Sequence, residues 1–158
     1  MNKMIQTKNF FGLLLISIVS ATVLSGCAAT APALNTSTGK PEAVISGASI
    51  EGVFNAIAEE MLLNDYILKS RSETRNIALF TAKGQYSGGG NIFMEVRVTY
   101  NLIDIQNGTR VMATILEYDY PGTNREVLWR DHSRESNRAH NIQNILNNIT
   151  VRLIVEQI

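Results

Sequence analysis

A single cysteine is the residue of this sequence with the clearest chemistry. Cys27 is the only cysteine among 158 residues, so the folded domain contains no disulfide and the thiol needs another role. Its sulfur is the one good sulfur nucleophile that the chain offers. The two preceding residues, Ser25 and Gly26, are small, which lets an extended backbone enter a protease site. The local pattern therefore predicts covalent modification of Cys27 and cleavage of the chain before it.

The segment before Cys27 has the composition of an export signal. Lys3 and Lys8 open the chain, and residues 10–24 then form an uncharged, mostly apolar run of 15 residues. A basic start followed by such a run is typical of a secretory signal peptide. The run is shorter than the roughly 20 residues needed to span a bilayer. We expect residues 1–26 to be removed as a signal peptide; the alternative is an uncleaved N-terminal anchor.

The end of this segment, Leu24-Ser25-Gly26-Cys27, resembles the lipobox of bacterial lipoproteins. The resemblance implies that a diacylglycerol is attached to the Cys27 sulfur. It also implies that the lipoprotein signal peptidase recognises Leu24, Ser25 and Gly26 and cuts before Cys27. The new amine is usually acylated in this family, and two or three long acyl chains anchor a protein stably in a membrane. Because Ala28 rather than aspartate follows the cysteine, the resemblance implies the outer membrane, with the domain facing the periplasm.

The rest of the chain divides into a short tether and one domain. Residues 27–42 are mostly small and polar, contain Pro32 and Pro41, and show no apolar periodicity, which predicts a lipidated cysteine followed by a flexible tether. Residues 43–158 are long enough for a single domain with its own core. Removal of residues 1–26 leaves 12 basic and 14 acidic side chains. This slight acidic excess gives no electrostatic reason to expect nucleic acid as a partner.

Two segments have the periodicity of amphipathic helices. The first begins after Ser49, a favoured N-cap, and carries Glu51 in its first turn, where the helix dipole favours an acid. The second is predicted to be capped near Ser136. Apolar residues are spaced for one face of each helix. They are Ile50, Val53, Phe54, Ile57, Ala58, Met61 and Leu62 in the first, and Ile142, Ile145, Leu146, Ile149 and Leu153 in the second.

Between these helices lie segments typical of antiparallel strands. Residues 94–102 alternate apolar and polar side chains, which predicts a strand with one solvated face. Asn107-Gly108 is the favoured pair for a type I′ turn into a partner strand over residues 110–120. Shorter strands are predicted near residues 44–45, 66–68, 77–80 and 126–129. The predicted fold is therefore α+β, an antiparallel sheet of about four to five strands with two amphipathic helices packed on one face.

This order of elements over residues 43–155 resembles the helix-grip and TBP-like domains of the BamC lipoprotein, a subunit of the outer-membrane β-barrel assembly machinery. The resemblance rests on the order of the elements, without a diagnostic motif. It implies the same α+β layout and adds no catalytic or ligand-binding residue.

Two further groups contain residue types that could do chemistry. Asp131-His132-Ser133 has the composition of a hydrolase triad, but adjacent residues of an extended chain point to opposite faces and cannot relay a proton in line. A metal site at His140 would need ligands three or four residues later, where Gln143 and Asn144 stand. We therefore expect no enzymatic activity, no cofactor and no metal site.

Three aromatic residues, Tyr118, Tyr120 and Trp129, cluster near one predicted hairpin. They form a candidate partner surface, or they stabilise cross-strand pairs. We expect a membrane-anchored periplasmic lipoprotein that acts as a non-enzymatic interaction or accessory module of the cell envelope, with an envelope protein as its partner. The alternative is a protein that binds a lipid or another small apolar ligand in a cavity between helix and sheet. An enzyme of unrecognised type is a third hypothesis.

Overall fold

The computed structural model describes residues 31–85 and 93–156. The predicted signal peptide, with Leu24, Ser25 and Gly26, and the predicted lipidation site Cys27 lie outside the described residues. No helix in the described part is long and apolar enough to cross a membrane. The elements are β1 (Glu42–Ser46), α1 (Ile50–Leu63), β2 (Ile67–Ser72), β3 (Ile77–Gln85), β4 (Phe93–Ile105), β5 (Gly108–Asp119), β6 (Val127–Asp131) and α2 (Asn137–Val155).

Both helices begin at the serines that the sequence indicates. Ser49 Oγ accepts a hydrogen bond from the Gly52 N–H at 3.2 Å. Ser136 Oγ accepts one from the Ala139 N–H at 3.0 Å. These bonds satisfy amide groups that have no partner inside the first turn of a helix. The sequence therefore predicted the start of each helix from the chemistry of one side chain.

The strands form one antiparallel sheet in the order β1-β5-β4-β3-β2, with β6 also paired to β5. One edge of β5 is occupied by β4 along its whole length. The other edge is shared, because β1 pairs with residues 108–112 and β6 pairs with residues 116–119. The predicted α+β class is confirmed, and the sheet has six strands where four to five were expected.

One face of the sheet packs against both helices. At its centre lies Tyr100, whose ring meets Phe80 edge-on at a centroid distance of 5.8 Å and whose hydroxyl donates to the Met61 sulfur at 3.1 Å. The fully buried side chains of this layer also include Val53, Ile57, Val98, Val111, Ile115, Ile142, Leu146 and Ile149. The opposite face, here called the open face, carries Leu79, Thr99 and Thr114 side by side on three strands. No helix of the described residues covers it.

The described part of the predicted tether packs on the domain. Leu34 is only 8% exposed and belongs to the core. The Pro41 carbonyl accepts a hydrogen bond from the Ala113 N–H at 2.8 Å. An apolar side chain at position 34 and this backbone bond attach the segment, so the ordered domain begins before residue 43.

Glu42 holds the end of this segment through a network of hydrogen bonds. Its carboxylate accepts bonds from the Ser37 N–H (2.6 Å) and hydroxyl (2.5 Å), from Thr38 (3.1 Å) and from the Arg110 guanidinium (3.0 Å). Burial by itself raises the pKa of Glu42, but the hydrogen bonds from Ser37, Arg110 and Thr38 outweigh it and lower the pKa from 4.5 to about 2. The ionised form is therefore the one that the fold stabilises.

The Glu42 network makes stability depend on acid. Because the folded-state pKa is lowered, its stabilisation is fully present above pH 4.5 and is lost as the pH falls through about 2. Glu42→Gln is expected to reduce the free energy of unfolding at pH 7 by about 1–2 kcal/mol, allowing for solvent screening. The difference from the unaltered protein should shrink below pH 4.5 and vanish near pH 2, measured by urea unfolding at several pH values. Glu73→Gln, at an exposed position, is the control and should change stability by less than about 0.5 kcal/mol. A Glu42→Gln loss that does not vary with pH would contradict the ionic origin.

The hairpin between β4 and β5 differs from its prediction. The two turn residues are Gln106 and Asn107, and Gly108 already pairs with Ile105 in the ladder. Of the two turn residues only Asn107 has a positive φ, 71°, whereas a type I′ turn needs positive φ at both. The predicted type I′ turn at Asn107-Gly108 is therefore wrong. Gly108 has a different reason to be glycine, because a Cβ there would lie 2.3 Å from the Ile45 carbonyl oxygen of β1.

Candidate functional site

The structure separates the three side chains of Asp131-His132-Ser133. His132 Nε2 lies 2.6 Å from a carboxylate oxygen of Glu117, and Asp131 Oδ1 accepts a bond from the Ser133 N–H at 2.8 Å. The Ser133 hydroxyl is fully buried and bonds the backbone of Ile115. Each side chain therefore has its own partner, and the three do not form the serine–histidine–aspartate chain of a hydrolase.

Ser133 completes the hydrogen bonding of β5 between its two neighbours. Its Oγ accepts from the Ile115 N–H at 2.8 Å and lies 3.4 Å from the Ile115 carbonyl oxygen. Ile115 stands in the interval where β1 has ended and the β6 ladder has not begun. A buried backbone N–H without a partner is costly. The Ser133 hydroxyl therefore accepts the hydrogen bond that a backbone carbonyl of a neighbouring strand would otherwise accept.

Ser133→Ala is expected to lower the free energy of unfolding by about 2 kcal/mol, because it leaves the buried Ile115 N–H without an acceptor. Denaturant unfolding measures the loss. Ser70→Ala, which removes the same hydroxyl from an exposed position of β2, should stay within about 0.5 kcal/mol of the unaltered protein. Equal effects of the two substitutions would show that Ser133 does not have this role.

His140 and Gln143 of α2 contact residues near the start of the described chain. His140 Nε2 lies 2.7 Å from the Pro32 carbonyl oxygen. The Gln143 amide accepts from the Glu42 N–H and donates to the Glu42 carbonyl, both at 2.9 Å. Gln143 thereby satisfies the outward-facing backbone groups of Glu42, the first residue of β1. In the described residues, no three His, Cys, Asp or Glu side chains lie close enough together to hold a metal ion.

A buried acid lies on the helix-covered side of β5. Glu117 is 5% exposed and has two cationic or potentially cationic neighbours, His132 at 2.6 Å and Arg138 Nε at 3.6 Å. Sequence analysis missed Glu117, because alternation along β5 gives its face but not the partners that make burial of a carboxylate tolerable. This cluster joins β5, the end of β6 and the start of α2.

The three aromatic residues predicted as a partner surface have different environments. Arg97 stacks on the Tyr118 ring at 4.1 Å, and Arg125 stacks on the Tyr120 ring at 4.6 Å. Trp129 is 56% exposed. The two tyrosines are thus covered by cations of the domain itself, whereas the indole presents more than half of its surface to solvent.

β6 has an irregularity at Trp129, and all five residues of this strand are exposed. Arg130 pairs with Glu117 and Leu128 pairs with Tyr118, which leaves Trp129 as an extra residue in the strand. Such a β-bulge re-aims a side chain and is common at sheet edges and functional sites. Val127 and Leu128 are also at least half exposed. Val127, Leu128 and Trp129 are here called the β6 patch.

A groove of about 540 Å³ opens on the open face of the sheet. Its lining includes Lys69, Leu79, Lys83, Arg97, Pro121 and Gly122. Arg97 bonds Glu95 of its own strand at 2.6 Å. It holds the loop before β6 by bonding both carboxylate oxygens of Glu126, at 2.9 and 2.8 Å. The hydrogen bond from Arg97 lowers the pKa of Glu126, and the Gly122 N–H donates to the same carboxylate. Sequence alternation placed Arg97 on a solvated face and gave no sign of this groove.

No model of a known protein family matches this chain, and no curated protein matches it either.

Proposed function

We propose that this protein is a lipoprotein held in the bacterial outer membrane through acyl chains on Cys27, and that its periplasmic domain is a non-enzymatic interaction or accessory module of the cell envelope. The lipobox-like Leu24-Ser25-Gly26-Cys27, at the end of a basic and apolar leader, supports the anchor. The single observation that carries the interaction role is the β6 patch, an edge strand with three large apolar side chains at least half exposed.

The three edge strands of the sheet differ in how they are protected. β2 also carries one extra residue, and it is Lys69, a charge that discourages pairing with another chain. The outer edge of β1 is occupied at Glu42 by the amide of Gln143. The extra residue of β6 is Trp129. Tryptophan is enriched among the residues that dominate binding energy at protein interfaces. An envelope protein that covers the β6 patch is the partner that this contrast favours.

The anchor is tested by following lipid attachment and processing in cells. The unaltered chain should incorporate an alkyne-labelled palmitate, and globomycin, which inhibits the lipoprotein signal peptidase, should cause a longer precursor to accumulate. Cys27→Ala should abolish the label, whereas Ser25→Ala, which keeps a small residue before the cleavage point, should retain it. Unchanged labelling and processing in the Cys27→Ala protein would refute the anchor.

The partner surface is tested by site-specific photo-crosslinking in intact cells. A photoreactive residue at Leu128 should give a discrete crosslinked species, and the same residue at Val44 should not, although the two positions are 50% and 54% exposed. Trp129→Ala should reduce the Leu128 crosslink at least tenfold, the effect expected for a residue that anchors an interface. Similar crosslinking from both positions, or from neither, would contradict an interaction role for β6.

Binding of a lipid or small apolar ligand is the second candidate function. The pocket within the helix–sheet layer, beside Phe54 and Leu102, holds only about 10 Å³, about the space of one water molecule. The groove on the open face, at about 540 Å³, is the observation that favours this function. A ligand is therefore expected on the side of the sheet opposite to the helices.

A further inference from the structure

The groove on the open face has the size of a small-molecule site. Its volume of about 540 Å³ falls within the roughly 300–1,000 Å³ that is typical of ligand pockets. Leu79 of β3 lines the groove from the sheet. Pro121 and Gly122 line it from the loop between β5 and β6. That loop is held in place by the ion pair of Glu126 with Arg97. The groove is therefore preformed by contacts within the domain.

The charges around the groove are unequally satisfied. Arg97 is bonded to two carboxylates, those of Glu95 and Glu126. Lys69 and Lys83 are exposed and have no ion pair with any of the described residues. Lys83 stands directly opposite Glu95 in the β3–β4 ladder, which places an acid near it. Lys69 has no such neighbour across the strand, so it is the least compensated cation of the groove.

The bulge in β2 gives Lys69 its position. Leu68 pairs with Phe80 and Ser70 pairs with Leu79, so Lys69 is the unpaired residue between them. The extra residue turns its side chain into the lining of the groove, next to Leu79. Lys83 stands four residues beyond Leu79 on β3, roughly 13 Å along the strand. The lining also includes Met94 and the paired charges of Glu95 and Arg97. One uncompensated cation beside the apolar side chains of Leu79, Met94 and Pro121 suits a ligand with one anionic end and an apolar body.

We infer that the groove binds a long-chain fatty acid, with its carboxylate at Lys69 and its hydrocarbon chain over Leu79 and against Pro121. A membrane surface is less suited to this face, because attachment to anionic lipids uses clusters of about four to eight basic residues. Here only Lys69 and Lys83 are unpaired among the described cations that line the groove. The inference rests on the second candidate function and requires neither the Cys27 anchor nor the β6 patch.

The test uses the full chain in phosphatidylcholine vesicles and a palmitate that carries a photoreactive diazirine near the end of its chain. Labelling is expected on peptides that contain Leu79 or Pro121, and unlabelled palmitate should compete for it. Hexadecanol, which has the same chain without the charge, should compete at least fivefold less well. Equal competition by hexadecanol would overturn the role of the carboxylate. The groove would then be a site for neutral ligands, which agrees with the second candidate function, binding of a lipid or small apolar ligand. Equal competition by phosphatidylglycerol would overturn the fatty acid in favour of a membrane lipid, and absence of labelling in the groove would overturn the site.

Matched lysine substitutions test the placement of the carboxylate. Lys69→Gln should weaken palmitate binding about three- to fivefold, the range expected for one exposed charge pair. Lys83→Gln should change it less than twofold, and so should Lys40→Gln, which removes the same charge outside the groove. All three lysines lie on the surface or at partly exposed positions, so the folded state should be retained. An unchanged affinity of the Lys69→Gln protein would refute the assignment to Lys69.

Discussion

Replacing Gly108 with alanine is expected to lower the free energy of unfolding by about 3 kcal/mol or more. The added Cβ would lie 2.3 Å from the Ile45 carbonyl oxygen and 3.0 Å from the Ser46 Cα, both backbone atoms of β1. A backbone atom cannot rotate away as a side chain can, so β1 would have to separate from β5 or move along it. The φ of +157° at Gly108 adds a conformational cost for alanine. Denaturant unfolding followed by circular dichroism measures the loss.

Gly122→Ala is the control that separates the effect of the Gly108 contact with β1 from the effect of a positive φ. Gly122 also has a positive φ, +73°, but nothing lies within 4 Å of its added Cβ. Its substitution should therefore cost about 1 kcal/mol, the strain of a left-handed alanine alone. If the two substitutions destabilise the protein equally, the contact between Gly108 and β1 does not restrict the residue type.

The sequence predicted the parts of the fold that local chemistry determines. Ser49 and Ser136 marked the starts of both helices because a hydroxyl before an apolar helical stripe satisfies the first free amides. The strand over residues 94–102 was predicted because alternation of side chains needs only one buried face. These signals lie within a few residues of the structure that they predict.

Features that depend on distant residues could not be predicted in the same way. Nothing near Gly108 in the sequence indicates that Ile45 passes within 2.3 Å of its missing Cβ. The type I′ prediction failed because Asn107-Gly108 was interpreted as a local turn. Gly108 is instead required by the close approach of the β1 backbone. The serine at 133 is likewise explained by Ile115, a residue on another strand.

The three residues of the predicted aromatic surface differ in their surroundings. Tyr118, Tyr120 and Trp129 were grouped because they are close in sequence, yet Arg97 and Arg125 cover the tyrosines. The bulge at Trp129 arises from the register between β5 and β6, which no periodicity of a five-residue strand can reveal. The β6 patch consequently shares only Trp129 with the predicted aromatic surface and consists of three consecutive residues of one edge strand.

The two faces of the sheet differ in how they are filled. The helix-covered face is filled by the core, with Tyr100 fully buried at its centre. The open face has a groove whose loop is held by Arg97, and the same guanidinium stacks on Tyr118 beside the β6 patch. Arg97 therefore contacts both the groove and Tyr118, so a coupling between the proposed ligand site and the proposed partner surface would be sought at Arg97.

His132→Ala is expected to lower the free energy of unfolding by about 3–4 kcal/mol. The substitution removes the imidazole that lies 2.6 Å from the Glu117 carboxylate and leaves a carboxylate that is only 5% exposed. Arg138, at 3.6 Å, remains as its nearest cation and is too far for a short hydrogen bond. Removing one partner of a buried pair costs this much because the other stays buried, here with only the longer contact to Arg138. Guanidinium unfolding at neutral pH measures the effect.

A second substitution distinguishes the cost of burying the Glu117 carboxylate without His132 from the cost of losing the packing of the imidazole. Glu117→Met in the His132→Ala protein should recover at least half of the loss, because the double variant no longer buries an acid. Arg138→Ala, in which a side chain 38% exposed is removed from the same cluster, should cost less than about 1 kcal/mol. If Glu117→Met brings no recovery, the cost of His132→Ala arises from the space left by the imidazole. The Glu117–His132 pair would then be a packing contact between β5 and β6, and the charge would have no part in holding the strands together.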